Sequence, residues 1–149
     1  MILALALLAF AAGGDPTDAQ TASLPQAAID ALNGKAIATK VRACTCLNPF
    51  YQRGDFDGDG KADVAVLVKS IATNKVGVLI AHSKDGSAHL VGAGTPLGNG
   101  GDDFAWMDAW HVDAAEGAQR ERLVLEKTES ASGVVRWDGR KYLWEQAGD

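Results

Sequence analysis

The residues with the clearest chemical pattern are four aspartates in one short stretch. Asp55, Asp57, Asp59 and Asp63 stand at alternate or near-alternate positions, with glycines between them. Carboxylates this close repel one another, and a divalent cation removes the repulsion. Calcium takes six to eight oxygen ligands at about 2.3–2.6 Å, from carboxylates, backbone carbonyls and water. The spacing predicts a calcium site in which the aspartates give side-chain oxygens, Asp63 directly or through water, and Lys61 gives its carbonyl.

The segments on either side of this loop have the pattern of strands rather than helices. An EF-hand needs a bidentate acid at its twelfth position and a helix on each side. Counted from Asp55, the twelfth residue is Val66, which lies in the apolar run 64–68. Residues 48–51, before the loop, do not have a helical pattern either. The sequence therefore predicts a strand–loop–strand metal site, and a tight acidic turn without a metal is the alternative.

Residues 54–66, Gly-Asp-Phe-Asp-Gly-Asp-Gly-Lys-Ala-Asp-Val-Ala-Val, resemble the calcium loop of FG-GAP/VCBS repeats. Those repeats are the blades of integrin-type β-propellers, and a propeller needs several blades to close its ring. The loop does not recur along the chain, so the resemblance implies a calcium site but not a propeller. The whole chain, including residues 100–108 and 137–139, also resembles small exported bacterial proteins, which implies a folding unit but no activity.

The N-terminus has the pattern of a secretory signal peptide. Residues 2–12 are an apolar run too short to span a bilayer, and small residues at 9 and 11 offer a cleavage site. We expect a signal peptide at 1–12, a flexible tail at 13–22 and a single domain at 23–149. The protein would then be periplasmic or secreted, with no stable membrane insertion after processing. A buried N-terminal helix is the alternative for the apolar run.

Length and charge narrow the class of partner. The 149 residues suit one domain with a real core, and the net charge of −5 gives a pI near 5.1. An acidic protein is a poor ligand for nucleic acid or for an anionic membrane. We therefore expect the partner to be an envelope protein or a glycan.

The elements that must position the loop are one helix and a set of hairpins. Apolar residues at helical spacing predict a short helix that follows Ser23 and ends at Asn33. Runs 63–69 and 75–82 are apolar at odd and even positions, which is typical of strands covered on both faces. Asp-Gly pairs at 85–86 and 138–139 are hairpin signals. The predicted fold class is α+β, with the N-terminal helix packed on a mainly antiparallel sheet built from hairpins, and it is not a complete propeller.

Two pairs of residues offer weaker metal or redox chemistry. A two-residue turn at Asp85-Gly86 would place His82 directly opposite His89, and two facing imidazoles could hold a transition metal. A surface cross-strand contact is the alternative for that pair. Cys44 and Cys46 are the only cysteines. They could be a labile redox pair, half of a soft-metal site, two small buried residues or a strained structural disulfide.

A glycine-rich loop ends in acids and aromatics that could form a second site. Asp102 and Asp103 are followed by Trp106 and Trp110, which would share one strand face with Asp108. This aromatic and acidic surface could hold a sugar or a peptide, although large apolar side chains usually belong to the core.

Two functions are compatible with these patterns. The first is an exported, non-catalytic domain with a structural calcium site that binds a protein or glycan at the cell envelope. The second is a hydrolase that uses an acid and histidine site around Asp102, Asp103, Asp108 and His111. No G-x-S-x-G or HExxH motif supports the hydrolase, and the sequence favours the binding domain.

Overall fold

The chain places its helices against the first of two antiparallel sheets. The computed structural model describes residues 17–114, 117 and 119–148, and the predicted signal peptide lies outside them. The helices are α1 Asp18–Ala22, α2 Gln26–Leu32 and α3 Lys35–Ala38. The strands are β1 Val41–Ala43, β2 Tyr51–Gly54, β3 Asp63–Ser70, β4 Val76–Ala81, β5 Ala88–Gly92, β6 Ala109–Asp113, β7 Arg122–Lys127, β8 Ala131–Trp137 and β9 Tyr142–Gly148. A 3₁₀ helix, Gly98–Gly100, precedes β6. The predicted α+β class is confirmed.

The two sheets are antiparallel ladders of strands that follow one another closely in sequence. The first has the order β1-β3-β4-β5, and β2 also pairs with β3. The short strands β1 and β2 share one edge of β3, β1 beside residues 68–70 and β2 beside residues 63–66. The second sheet has the order β6-β7-β8-β9. Over the described residues neither sheet closes into a barrel or a propeller, as the sequence predicted.

Strand β3 is buried on both faces because layers pack against it from both sides. Ala65 and Leu67 lie in the core between the two sheets, beside Leu123 and Leu125 of β7. The alternate residues of β3 face the helical layer instead. That second core contains Leu24, Ala28, Ala31, Val41, Ala43, Val64, Val66, Val68, Leu79 and Ala81. The prediction of strands covered on both faces is confirmed for β3 and β4.

The helical layer differs from the prediction at its start. Ser23 caps the C-terminus of α1, and α2 begins at Gln26 after Pro25. Helix α1 falls within residues 13–22, which were predicted to be a flexible tail; its capping box joins Thr17 and Gln20. The predicted end of α2 at Asn33 is confirmed. In the described part of the chain, no helix is long and apolar enough to cross a membrane.

Cys44 and Cys46 form a disulfide directly after β1. Cys44 is buried and Cys46 packs at the edge of the core between the sheets. Of the four interpretations of this pair, the structure therefore has the disulfide.

Both Asp-Gly hairpins form, but each turn is centred one residue away from its predicted position. A two-residue turn at 138–139 would place Trp137 opposite Arg140, but Trp137 pairs with Tyr142, so Gly139 and Arg140 form the turn. The Asp138 carboxylate accepts hydrogen bonds from the N–H groups of Arg140 and Lys141. An aspartate that bonds the backbone ahead of it favours the first corner of a turn, which moves the glycine to the next position.

The backbone at Gly77 in β4 lies very close to the end of β5 and the residue that follows it. A Cβ atom there would lie 2.5 Å from the Val91 carbonyl oxygen and closer still to the Ala93 nitrogen. Both are backbone atoms that cannot move without disturbing the ladder. We expect Gly77→Ala to lower the free energy of unfolding by about 1–3 kcal/mol, the usual cost of overpacking, as measured by urea denaturation.

Gly34→Ala is the matched control. The nearest atom to a Cβ there is the Ala31 carbonyl oxygen at 3.3 Å. Its effect on the free energy of unfolding should stay within about 0.5 kcal/mol. Equal losses in the two variants would contradict the close approach of β4 to the segment that follows β5.

Candidate metal centre

The aspartate loop joins two paired strands, as the sequence predicted. Residues 55–62 connect β2 to β3, and the last pair before the loop is Gly54 with Asp63. Gly58 and Gly60 have positive φ angles of 78° and 86°, a conformation that costs glycine little. The loop can therefore fold back over its own carboxylates.

Asp55 organises the backbone of the loop. Its Oδ1 accepts hydrogen bonds from the N–H groups of Gly58 at 3.0 Å and Asp59 at 3.1 Å. Its Oδ2 accepts one from Gly60 at 2.9 Å. Three donors converge on one carboxylate, so the loop is preorganised around negative charge.

Asp63 is completely buried at the other end of the loop. Its Oδ2 accepts the N–H groups of Phe56 at 3.0 Å and Asp57 at 3.3 Å. Its Oδ1 accepts the N–H of Ser83 at 2.9 Å and lies 3.3 Å from the Ser83 hydroxyl. Asp63 therefore fastens the loop to the turn between β4 and β5.

Asp57 has the least satisfied side chain of the loop. The carboxylate is fully buried, and Oδ1 accepts the N–H of Asp59 at 3.2 Å. Oδ2 is buried without a hydrogen-bond partner among the described residues. The nearest basic nitrogens are His82 Nδ1 at 3.7 Å and Lys84 Nζ at 3.9 Å, both too far for hydrogen bonds. An orphaned buried carboxylate oxygen requires a cation or a proton.

The electrostatics of the loop agree with that need. Burial raises the pKa of Asp57, the N–H of Asp59 lowers it, and the nearby charge of Asp63 raises it further. The pKa of the exposed Asp59 is lowered, chiefly because its carboxylate accepts the N–H of Lys61. A bound positive charge would therefore stabilise the ionised form of Asp57, which burial and Asp63 disfavour.

Two overlapping groups of side chains could hold a metal ion. Asp55, Asp57 and Asp59 each offer a carboxylate oxygen, and these atoms lie within 4.8 Å of one another. Asp57, Asp63 and His82 meet the same condition and are all buried. Lys61, the predicted carbonyl ligand, is exposed in the same loop. The structure thus brings all the predicted aspartates into one centre that could hold a metal ion.

His82 is a member of this centre that the sequence placed elsewhere. Its side chain is 1 % exposed, and its Nε2 lies 2.5 Å from the Tyr142 hydroxyl oxygen. Burial raises the pKa of Tyr142, and the charges of Asp63 and Asp57 add to the effect. No local pattern could place His82 beside Asp57, because the contact depends on how the β4–β5 turn meets the loop.

The predicted pairing of His82 with His89 is wrong in register. His89 pairs with Ile80, and the N–H of His82 donates to the carbonyl of Ser87, which leaves a four-residue turn. The two rings still lie 4.5 Å apart as diagonal neighbours across the strands. The His82 ring nitrogens face Tyr142 and Asp57, and His89 Nε2 lies 3.1 Å from the Ser87 hydroxyl.

The residues just before β7 form hydrogen bonds with the loop. The N–H of Asp55 donates to the Glu121 carboxylate, and the N–H of Glu121 donates to the Asp55 carbonyl, each at 2.9 Å. The Arg120 guanidinium donates to the carbonyls of Asp57 at 3.2 Å and Trp137 at 3.3 Å. The loop is therefore one of the places where hydrogen bonds join the two halves of the fold.

The four residues of the predicted hydrolase site have separate partners. The Asp102 carboxylate lies 2.6 Å from Lys75 Nζ, and Asp103 accepts the backbone N–H groups of residues 76 and 105. Asp108 accepts both donors of Thr128. His111 Nδ1 lies 4.0 Å from the Glu126 carboxylate. Within the described residues, none of these four side chains bonds to another.

The predicted aromatic surface also divides. Trp110 is 5 % exposed in the core between the sheets, and its Nε1 donates to the Pro49 carbonyl at 2.7 Å. Trp106 precedes β6 in a turn and is half-buried. The two tryptophans do not share a strand face, because β6 begins only at Ala109. Trp110 therefore packs in the core, whereas Trp106 keeps part of its surface exposed.

Comparisons with known proteins find no matching family model, no matching curated protein and no matching solved structure. The resemblance of residues 54–66 to FG-GAP/VCBS loops therefore rests on those residues alone and stays a prediction.

Asp63 and Asp59 should respond differently to truncation in the presence of chelator. Asp63→Ala leaves the N–H groups of Phe56, Asp57 and Ser83 without their buried acceptor, so we expect a loss of at least about 3 kcal/mol. Asp59→Ala removes an exposed acceptor and should cost about 1 kcal/mol or less. Urea denaturation measures both, and equal losses would contradict the buried anchoring of Asp63.

Proposed function

We propose that this protein is an exported, non-catalytic binding domain whose loop 55–63 binds one calcium ion. The ion has a structural role: it neutralises the clustered carboxylates and pins β2 and β3 to the second sheet. The binding role is toward a protein or glycan at the cell envelope. The buried, unpartnered Oδ2 of Asp57, among three other carboxylates, is the observation that carries the metal site.

The donor set favours calcium over softer metals. Asp55, Asp57, Asp59 and Asp63 offer carboxylate oxygens, and Lys61 offers a backbone carbonyl in the same loop. Hard oxygen donors in a flexible arrangement suit Ca²⁺, whereas Mg²⁺ requires a tighter octahedron. The loop glycines and the exposed position of Asp59 leave room for water to complete the coordination.

A transition metal is the second candidate because of one observation. His82 Nδ1 lies 3.7 Å from the orphaned Asp57 Oδ2, and Asp63 completes a buried group with them. An imidazole nitrogen beside two carboxylates suits Zn²⁺. In that case His82 would bind through Nδ1 while its Nε2 bonds Tyr142, and Tyr142 would fix the orientation of the ring.

The disulfide and the proposed calcium site support export, and the separate partners of the predicted hydrolase residues support a non-catalytic role. The Cys44–Cys46 disulfide suits an oxidising compartment, where such bonds persist. Millimolar calcium sites are useful outside the cell, where the ion is abundant. The hydrolase has less support, because Asp102, Asp103 and Asp108 bond to different structural partners and the neighbour of His111 is Glu126, at 4.0 Å.

Calcium should stabilise the wild type much more than it stabilises Asp57→Asn. In chelator, Asp57→Asn should melt at the same temperature as the wild type or higher, because it removes a buried charge close to Asp63. With calcium at a hundred times its Kd, binding raises the free energy of unfolding of the wild type by about 2.7 kcal/mol, which raises its Tm by roughly 5–10 °C. Asp57→Asn should lose most of that gain, and the order of the two melting temperatures should reverse.

Isothermal titration calorimetry supplies the stoichiometry. We expect about one calcium ion per chain, abolished in the double variant Asp57→Ala with Asp59→Ala and retained in Asp30→Asn, which changes an exposed helical acid. An absence of both heat and thermal shift with calcium would overturn the proposal. Binding of Zn²⁺ but not Ca²⁺, lost in His82→Ala, would establish the second candidate instead.

A further inference from the structure

We propose that a shallow cavity between the 3₁₀ helix and strand β9 binds a neutral sugar. The cavity has a volume of about 150 Å³ and lies at the edge of the second sheet. Its walls include Trp106 and Trp144, and its polar groups come from Asn99, Ser132 and Gln146. This assigns a ligand class and a place to the binding role proposed above, and it requires no metal ion.

The two indoles make a corner. The ring centroids of Trp106 and Trp144 are 6.0 Å apart and their planes meet at 88°. Both side chains pack on the core yet remain partly exposed. Trp110 and Trp137, by contrast, are each less than 10 % exposed. The cavity is therefore lined by the two tryptophans that keep part of their surface exposed.

Glycines fix the position of Trp144. A Cβ atom on Gly133 would overlap the six-membered part of the indole, and one on Gly100 would lie 2.6 Å from its Cδ2. The ring also stacks on the buried Phe104 at 6.1 Å. Such contacts hold the indole in one orientation before any ligand arrives, which reduces the entropy lost on binding.

The polar groups around the indoles are planar amides and a hydroxyl. Gln146 accepts from Trp144 Nε1 at 3.4 Å and donates to the Ser132 carbonyl at 3.2 Å, so its amide is held against the cavity. Asn99 is exposed, and within the described residues its carboxamide forms no hydrogen bond. A carboxamide supplies both donors and acceptors.

The cavity lining includes no charged side chain among the described residues. Anionic and cationic ligands therefore find no counter-charge in the wall. The remaining groups match a pyranose, whose C–H face is apolar with slightly positive hydrogens, the complement of the negative face of an indole. Its hydroxyls donate and accept, as the amides do. The volume is below the 300–1,000 Å³ typical of drug-sized ligands, which favours one sugar ring rather than a long buried chain.

The test follows the indole N–H signals by two-dimensional NMR, on the calcium-saturated protein. The probes are methyl glycosides of glucose, galactose, mannose and N-acetylglucosamine, and tetrasaccharides of the same sugars, up to about 10 mM. This range lies above the millimolar affinity expected of a small site. At least one probe should shift the signals of Trp106 and Trp144. The Trp110 signal should stay in place, since its N–H is bonded in the core.

Two variants locate the binding. Asn99→Ala changes an exposed side chain and should weaken affinity for the active sugar about tenfold, while Trp106→Ala should abolish binding. Gln26→Ala removes an exposed amide on α2 and should leave the affinity unchanged. Retained affinity in both Asn99→Ala and Trp106→Ala would overturn the proposal. So would the absence of any shift across the panel.

The same titration repeated in chelator separates this inference from the calcium site. Sugar binding in a protein that shows neither heat nor a thermal shift with calcium would overturn the metal proposal alone. Calcium binding in a protein that recognises no probe would overturn the sugar site alone.

Discussion

The burial of the Asp57 and Asp63 carboxylates is the constraint on which the rest of the structure depends. Both carboxylate oxygens of Asp63 have polar partners, four contacts from two different segments. Only one carboxylate oxygen of Asp57 accepts a hydrogen bond. A buried carboxylate costs free energy unless it is bonded or neutralised. Three segments therefore meet around these two carboxylates: the loop itself, the β4–β5 turn and the residues before β7.

Strand β3 gives that convergence a rigid base. It begins at Asp63, pairs with β1 and β2 on one edge and with β4 on the other, and is covered on both faces. A strand paired on both edges and buried on both faces has little freedom to shift. The position of Asp63 is thus set by the centre of the fold, whereas Asp57 and Asp59 belong to the loop between β2 and β3, outside the paired strands.

The second sheet has two separable roles. Near β7 it ties down the loop through Arg120 and Glu121. At β9, glycines let Trp144 lie flat against the backbone and leave a neutral, tryptophan-lined cavity at the edge. The metal centre and this cavity lie on different elements. The proposed ion site and the proposed sugar site therefore share no residues.

The sequence by itself determined the α+β class, the strands covered on both faces and the strand–loop–strand arrangement of the aspartates, because hydrophobic patterning and aspartate spacing are local properties of the chain. Only the tertiary structure decided that His82 joins Asp57, that Trp110 enters the core and that Asp102, Asp103, Asp108 and His111 stay apart. The register of the 138–139 hairpin is set locally instead: the Asp138 carboxylate bonds the N–H groups of Arg140 and Lys141, which shifts the turn and every pair beyond it. The positions of His82, Trp110 and the four hydrolase residues depend on contacts between segments far apart in sequence, which no local pattern encodes.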